Sequence, residues 1–310
     1  MLTMLLTIIT TIAVVLGVLA ALYFFATGMV FRMMMRLARR QAGLRLRHAR
    51  VDGHDVPYLE GGEGPPLLLL HGFGANKDHW TMIAPYLSRH FHLYVPDLPG
   101  FGDASRVDDA HYGVDAQLGR VAEFADAVGL SRFHLAGNSM GGYLSALFAH
   151  RHPARVDSLW LLAPAGAMSA EPSEVLTRID QGENPLIAET LEQFDALADL
   201  CFTVTPPMPG QFKRYLLERS KTEAPFNHRI FEHMFSEPMS LEDALDALPV
   251  RCLLVWGDND RVLHPSGMKV IEKLLADVET VLMSRMGHVP MIERPAETAA
   301  DYLRFRGIVE

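Results

Sequence analysis

The sequence predicts an α/β fold: a mostly parallel, eight-stranded sheet with helices on both faces, a helical insertion late in the chain and a membrane-length apolar helix at the start. Three observations carry this reading. From Leu44 onward, short apolar runs alternate with longer segments of helical period. Between Met168 and about Leu248 the alternation stops, leaving helical segments, seven prolines and no strand-like run. Before all of this, Met1 to Phe31 contains no charged side chain.

The apolar start is long enough to cross a bilayer, which needs about 20 residues as a helix. Its five threonines do not spoil it, since a helix can return their hydroxyls to its own carbonyls. No Lys or Arg precedes the run, the run exceeds a signal-peptide core, and no small-residue cleavage site is clear. These flanks favour a retained anchor; Ala20-Ala21 and Ala26-Thr27-Gly28 are the stretches where cleavage would fall. Arg32, Arg36, Arg39, Arg40, Arg45, Arg47 and Arg50 follow, with no acidic residue before Asp52. The positive-inside rule then puts the rest of the chain on the cytoplasmic side, with these arginines against anionic headgroups. The competing reading is a basic surface helix that touches nothing. The expected division is a single-pass anchor over 1–31, a basic juxtamembrane segment over 32–50, and an α/β domain over 44–310 with its insertion at about 168–248.

Beyond position 50 the sign reverses, with 37 acidic residues against 21 of the 28 basic ones, a formal −16. A domain this acidic is a poor nucleic-acid binder. Cys201 and Cys252 form neither a disulfide framework nor a metal spacing. There is no Walker sequence, CxxC pair or HExxH, so neither a cofactor nor a metal is expected.

Taken in order, residues 44–51 and 57–60 read as a hairpin around Asp52-Gly53-His54. Residues 66–71 read as a buried strand, 78–88 as a helix and 91–95 as the next strand. An amphipathic helix over 114–128 stops at Gly129. Strands follow at 133–136 and 156–162, and sheet order resumes after the insertion at 251–256 and 280–283. An insertion of this kind is most simply a cap over the strand ends, where ligands of such sheets bind.

Gly137-Asn138-Ser139-Met140-Gly141 lies between the strand at 133–136 and an apolar helix from Gly142. A serine at such a sharp turn is forced into a strained backbone that exposes its hydroxyl, and glycines flank it where strand and helix pass closest. A serine hydroxyl needs a base, and the base needs an orienting acid, in the chain order Ser, acid, His. His288, just past the last strand, is the expected base. Asp260, beyond the glycine turn that ends the penultimate strand, is the expected acid. Asp258 is its local rival and reads as a brace of that turn. Charge on an attacked carbonyl needs donors, and the backbone N–H groups of Phe73 and Met140 are the expected pair. His71 reads as a loop brace; His228, His233 and His264 read as surface or packing residues.

Five stretches then carry a resemblance: His71-Gly72-Phe73-Gly74, Asp97-Leu98-Pro99-Gly100-Phe101-Gly102, the serine motif, Trp256-Gly257-Asp258-Asn259-Asp260 and Gly287-His288-Val289-Pro290. Over residues 44–309 the chain resembles the α/β-hydrolase fold family. With serine at the nucleophile position it is unlike the haloalkane dehalogenases and epoxide hydrolases of that fold. The anchor, the basic stretch, Pro164-Ala165-Gly166 and Met291-Ile292-Glu293-Arg294-Pro295 make it similar to the membrane-anchored monoacylglycerol lipases and related bacterial lipases and esterases. The resemblance implies hydrolysis of monoacylglycerols or similar lipid esters through Ser139, Asp260 and His288, with an acyl-enzyme intermediate and no metal or cofactor. The partners implied are a lipid ester and the membrane. The insertion supplies Phe194, Leu197, Leu200, Phe202, Met208, Phe212, Tyr215, Phe226, Phe231, Met234 and Phe235, most expected in the core beneath the cap and the rest in an acyl pocket. Two alternatives stay open: hydrolysis of carbon–carbon bonds in ring-cleavage dienones, and a catalytically inactive membrane-tethered binding protein.

Overall fold

Leu67, Leu68, Leu69 and Leu70 are all fully buried, and their alternation explains the centre of the molecule. In a strand successive side chains point to opposite faces. Leu68 and Leu70 accordingly join one apolar core, and Leu67 and Leu69 a second core on the other face. A continuous apolar run is what a strand buried on both faces requires. The computed structural model describes residues 2–236, 239–245 and 248–308, so residue 1, residues 237–238 and 246–247 of the expected insertion, and residues 309–310 lie outside the described residues.

The strands are β1 (Leu44–Val51), β2 (His54–Gly61), β3 (Pro66–Leu70), β4 (His92–Pro96), β5 (Phe133–Asn138), β6 (Val156–Leu162), β7 (Cys252–Gly257) and β8 (Val278–Met283). They form one eight-stranded sheet in the order β1-β2-β4-β3-β5-β6-β7-β8. β1 pairs with β2, and β2 with β4, antiparallel; all other pairs are parallel. The opening hairpin turns at Asp52-Gly53, both with positive φ.

The helices are α1 (Leu2–Phe25), α2 (Thr27–Gln41), α3 (Ala84–Leu87), α4 (Val114–Ala127), α5 (Met140–Arg151), α6 (Glu174–Asp180), α7 (Leu191–Cys201), α8 (Gly210–Phe235), α9 (Leu241–Ala244), α10 (Gly267–Glu272), α11 (Pro290–Glu293) and α12 (Pro295–Phe305). α4, α5 and α10 cover the face that holds Leu68 and Leu70; α3 and α12 cover the other. The helix expected over 78–88 is two pieces instead, a 3-10 turn at Lys77–Trp80 and α3. Pro85 explains the split: it has no N–H to return to the preceding turn, and its ring collides with that turn's carbonyl. It is tolerated at the start of α3, where that N–H would be unpaired anyway.

The insertion between β6 and β7 consists of α6 to α9, and its described residues include no strand beyond an isolated pairing of Leu248 with Leu275. At the other end of the chain, Thr3–Ala21 is a 19-residue stretch long and apolar enough to cross a membrane, with none of it buried in the protein. The hydroxyls of Thr7, Thr10, Thr11 and Thr27 each donate to the carbonyl four residues earlier. The apolar run does not continue as one helix to Phe31. The backbone breaks at Ala26, and Phe31 belongs to α2. Nor is α2 a helix that touches nothing: Phe31 packs against Phe212 and Tyr215 of α8, with ring centroids 5.7 and 5.4 Å away.

Candidate active site

Ser139 sits between β5 and α5 at φ 56° and ψ −120°, a left-handed conformation costly for any residue with a Cβ. Such strain, of order 1–3 kcal/mol, persists only where the surroundings over-determine it. Here the Ser139 N–H donates to the Leu162 carbonyl at 3.0 Å, and its own carbonyl accepts from Tyr143 and Ala165 at 2.9 and 3.1 Å. A Cβ on Gly137 would lie 2.2 Å from the Gly141 carbonyl oxygen, and one on Gly141 2.3 Å from that of Leu70. Both motif glycines are therefore steric requirements of the turn.

His288 and Asp260 come from loops after β8 and β7, and both are buried, each at 4% exposure. His288 Nδ1 lies 2.7 Å from Asp260 Oδ2. A carboxylate only accepts, so Nδ1 carries the proton and Nε2 is left as the basic nitrogen. The other oxygen, Oδ1, accepts from the amides of Val262 and Leu263 at 2.8 and 2.9 Å, which fixes the carboxylate plane. Asp258, the rival acid, accepts from the Met286 amide at 3.3 Å and so braces the turn leading to His288.

Asn138 ties the serine turn to the end of β6 and to the His288 loop. Its Nδ2 donates to the carbonyls of Leu162 and His288, each at 3.0 Å, from the position immediately before Ser139. Sequence reasoning passed over it because its partner lies 150 residues away. Glu293 braces the same loop; its Oε2 accepts from Gly287, six residues away, and from Thr203, 90 residues away, each at 3.2 Å, and only the second partner lies beyond local reasoning.

Phe73 and Met140 flank Ser139 from two directions. A Cβ on Gly72 would meet the Ser139 Cβ at 3.2 Å, which places the 72–74 loop against the serine. Met140 begins α5, so its N–H belongs to the unpaired first turn and to the positive end of the helix dipole. Among the described residues neither the Phe73 nor the Met140 amide has a hydrogen-bond partner. His71 holds the loop from below. Its Nε2 accepts from the Leu98 amide at 2.9 Å, so Nδ1 must be the nitrogen that donates to the Gly72 carbonyl at 2.8 Å. Burial lowers its pKa to about 4, which keeps it neutral in that brace.

The remaining histidines of note are elsewhere: His264 bonds Ser266, His228 faces Glu189, and His233 accepts from Tyr112. Burial, reinforced by the Asp260 charge, pushes the Cys201 thiol up to about 12, so it stays protonated. In the cap, Phe231 packs on Phe73 at 5.6 Å, above the serine loop, and Phe235 is 41% exposed. Phe212 and Tyr215 turn instead toward the N-terminal helices.

Residues 65–295 match the α/β hydrolase fold family. The chain belongs to that family. The hydrolase fold extends to relatives of known name: the chain is 36% identical over 263 residues to Lipase 1 of Psychrobacter immobilis, covering 84% of this chain and 83% of that protein. It is 30% identical over 281 residues to the human monoacylglycerol lipase ABHD6, covering 86% and 83%. It also superposes on the crystal structure of a membrane phospholipase A described as a bacterial virulence factor, with a TM-score of 0.89 at 43% identity over 97% of this chain and 98% of that one.

Proposed function

We infer that this hydrolase-fold protein is a serine ester hydrolase that cleaves the acyl esters of membrane lipids, monoacylglycerols among them. The observation that carries the reading is the 2.7 Å bond from His288 to a fixed, buried Asp260, on the same rim as a serine held in a strained turn. In this reading Ser139 Oγ attacks the ester carbonyl while His288 Nε2 takes its proton. Asp260 stays ionised and stabilises the imidazolium. The Phe73 and Met140 amides receive the oxyanion, where each donor is worth roughly 100- to 1,000-fold in rate. Collapse expels the alcohol, which leaves with the proton from His288. Water, deprotonated by the same nitrogen, then releases the fatty acid from Ser139.

Resemblance to lipases supports ester chemistry on fatty substrates, and the membrane phospholipase A favours phospholipid acyl esters as a second substrate class. The working units are an anchor within 1–31, its spanning part being α1, a basic segment over 32–50 and a catalytic domain over 44–310 capped at about 168–248. In this reading α1 crosses the bilayer once, and the arginines after it support a cytoplasmic catalytic domain under the positive-inside rule. Support for an interfacial α2 comes from its outer face, where Met29, Met33, Met34 and Leu37 are exposed beside Arg32, Arg36 and Arg40. The reading names no cofactor or metal.

The test is turnover by the full-length protein in detergent micelles, on a monoacylglycerol, a phosphatidylethanolamine and a p-nitrophenyl ester. The expected result is fatty-acid release that Ser139→Ala abolishes. Undiminished release by Ser139→Ala would reject the reading, and the ratio of the two lipid rates ranks the substrate classes.

A further inference from the structure

The loop that carries Phe73 is pinned at both ends, and one of the pins comes from outside the catalytic domain. At its start His71 is locked by Leu98 and Gly72. At its end Lys77, fully buried, donates its backbone N–H to Asp97 Oδ1 at 2.7 Å and its Nζ to Asp97 Oδ2 at 2.6 Å. Asn76 caps the turn that follows, its Oδ1 accepting the N–H of Asp78, the next residue after Lys77, at 2.9 Å. The Asp78 carboxylate faces away from the sheet toward α2. There Arg39 Nε meets Asp78 Oδ1 and Arg39 Nη2 meets Asp78 Oδ2, both at 2.6 Å.

This pair is not an ordinary surface bridge. It is bidentate, and the two side chains are only 13% and 19% exposed. A planar fork of this kind fixes direction as well as distance, and shielding from water strengthens it. Arg39 lies on the inward side of α2, next to Ala38 and Ala42, and one face along from Phe31 and Met35. At the other end of that side Phe31 packs on Tyr215 and Phe212 of the cap. α2 thus follows directly on the membrane-length helix and touches both the cap and the turn that ends the oxyanion loop.

We propose that Arg39 is a positioning residue: through its bidentate bond to Asp78 it ties the seating of the juxtamembrane helix to the placement of the Phe73 amide. The proposal rests on the ester-hydrolase reading and deepens it, because it makes the oxyanion donor depend on a helix that the anchor holds. A helix that merely sat on the domain would leave a small soluble ester unaffected when unfastened.

The variants are Arg39→Ala, Asp78→Asn, Arg39→Lys and the charge swap Arg39→Asp with Asp78→Arg, all in the full-length protein in micelles. The readouts are kcat and KM on p-nitrophenyl butyrate, the affinity of a trifluoromethyl ketone that forms a tetrahedral adduct on the serine, and amide exchange of residues 72–77. Arg39→Ala and Asp78→Asn should lower kcat about 10-fold, a fraction of what a whole oxyanion donor supplies, with KM within about twofold. The ketone should weaken by the same factor, exchange over 72–77 should quicken, Arg39→Lys should fall between, and the swap should restore most of the rate. Unchanged exchange and kcat in Arg39→Ala would overturn the coupling, as would losses that the swap does not recover while the melting temperature stays at the wild-type value. The exchange readout is independent of catalysis. A wild type that turns over no ester would defeat the hydrolase reading, while exchange would still decide whether Arg39 holds the loop.

Discussion

On the sheet side of the site Asn138, Asp260 and His71 are buried and direct their polar atoms mainly to backbone groups of neighbouring loops. On the cap side α8 is fastened by charged chains: Arg219 to Asp103 and Glu223, Arg106 to Glu223, and Arg229 to the carbonyls of Val107 and Asp108. Arg219 and Asp103 are 33% and 48% exposed. The difference separates two tasks. Buried bonds to backbone groups leave no slack, which suits atoms that must stay placed within a fraction of an ångström. Part-exposed ion pairs hold loosely and are screened by salt, which suits a cover under which a substrate must pass.

That contrast can be broken from either side. The largest effect is expected at Asp260→Asn, which removes the charge while keeping the size. The amide would favour the wrong His288 tautomer, and kcat on a p-nitrophenyl ester should fall by about 10,000-fold with KM little changed. A loss under tenfold would mean that His288 is oriented by something else. Asn138→Ala comes next. It leaves the buried His288 carbonyl unpaired, a cost of about 1–3 kcal/mol, and takes one of two donors from the Leu162 carbonyl, which keeps the Ser139 N–H, so the melting temperature and kcat should fall together. An unchanged kcat would detach Asn138 from the alignment of the serine turn with the His288 loop. Smallest is Arg219→Ala, with a stability change of about 1 kcal/mol or less. It should alter KM for long-chain lipid esters more than kcat for a short ester, and the difference should shrink in 1 M salt. A large fall in short-ester kcat would place Arg219 with the rigid side instead.

How much of this was legible in the sequence follows the same division. β6 spans residues 156–162 as expected, and β3, β5 and β7 came within a few residues, because strands buried on both faces appear as unbroken apolar runs. The serine turn was legible because strain, glycines and helix start occupy five consecutive positions. The two-piece helix near Pro85 was missed where helical period outweighed a proline whose position in the turn the pattern does not give. The partners of α2 were harder. Phe31, Met35, Ala38 and Ala42 have a helical spacing that signals an inward face, but nothing local says that the face meets α8 or that Arg39 meets Asp78, 39 residues on. For the same reason Phe212 and Tyr215 stand among the cap residues expected in the core beneath the cap or in an acyl pocket, although they pack on the N-terminal helices. Periodicity reports which side of an element is covered. It does not report by what.

The most direct test of the account is to react the full-length protein with a fluorophosphonate and locate the adduct by mass spectrometry. A single adduct on Ser139 is expected, absent in Ser139→Ala and formed at least 100-fold more slowly in His288→Ala. An adduct on another residue, or labelling of Ser139 that proceeds at the same rate without His288, would contradict it.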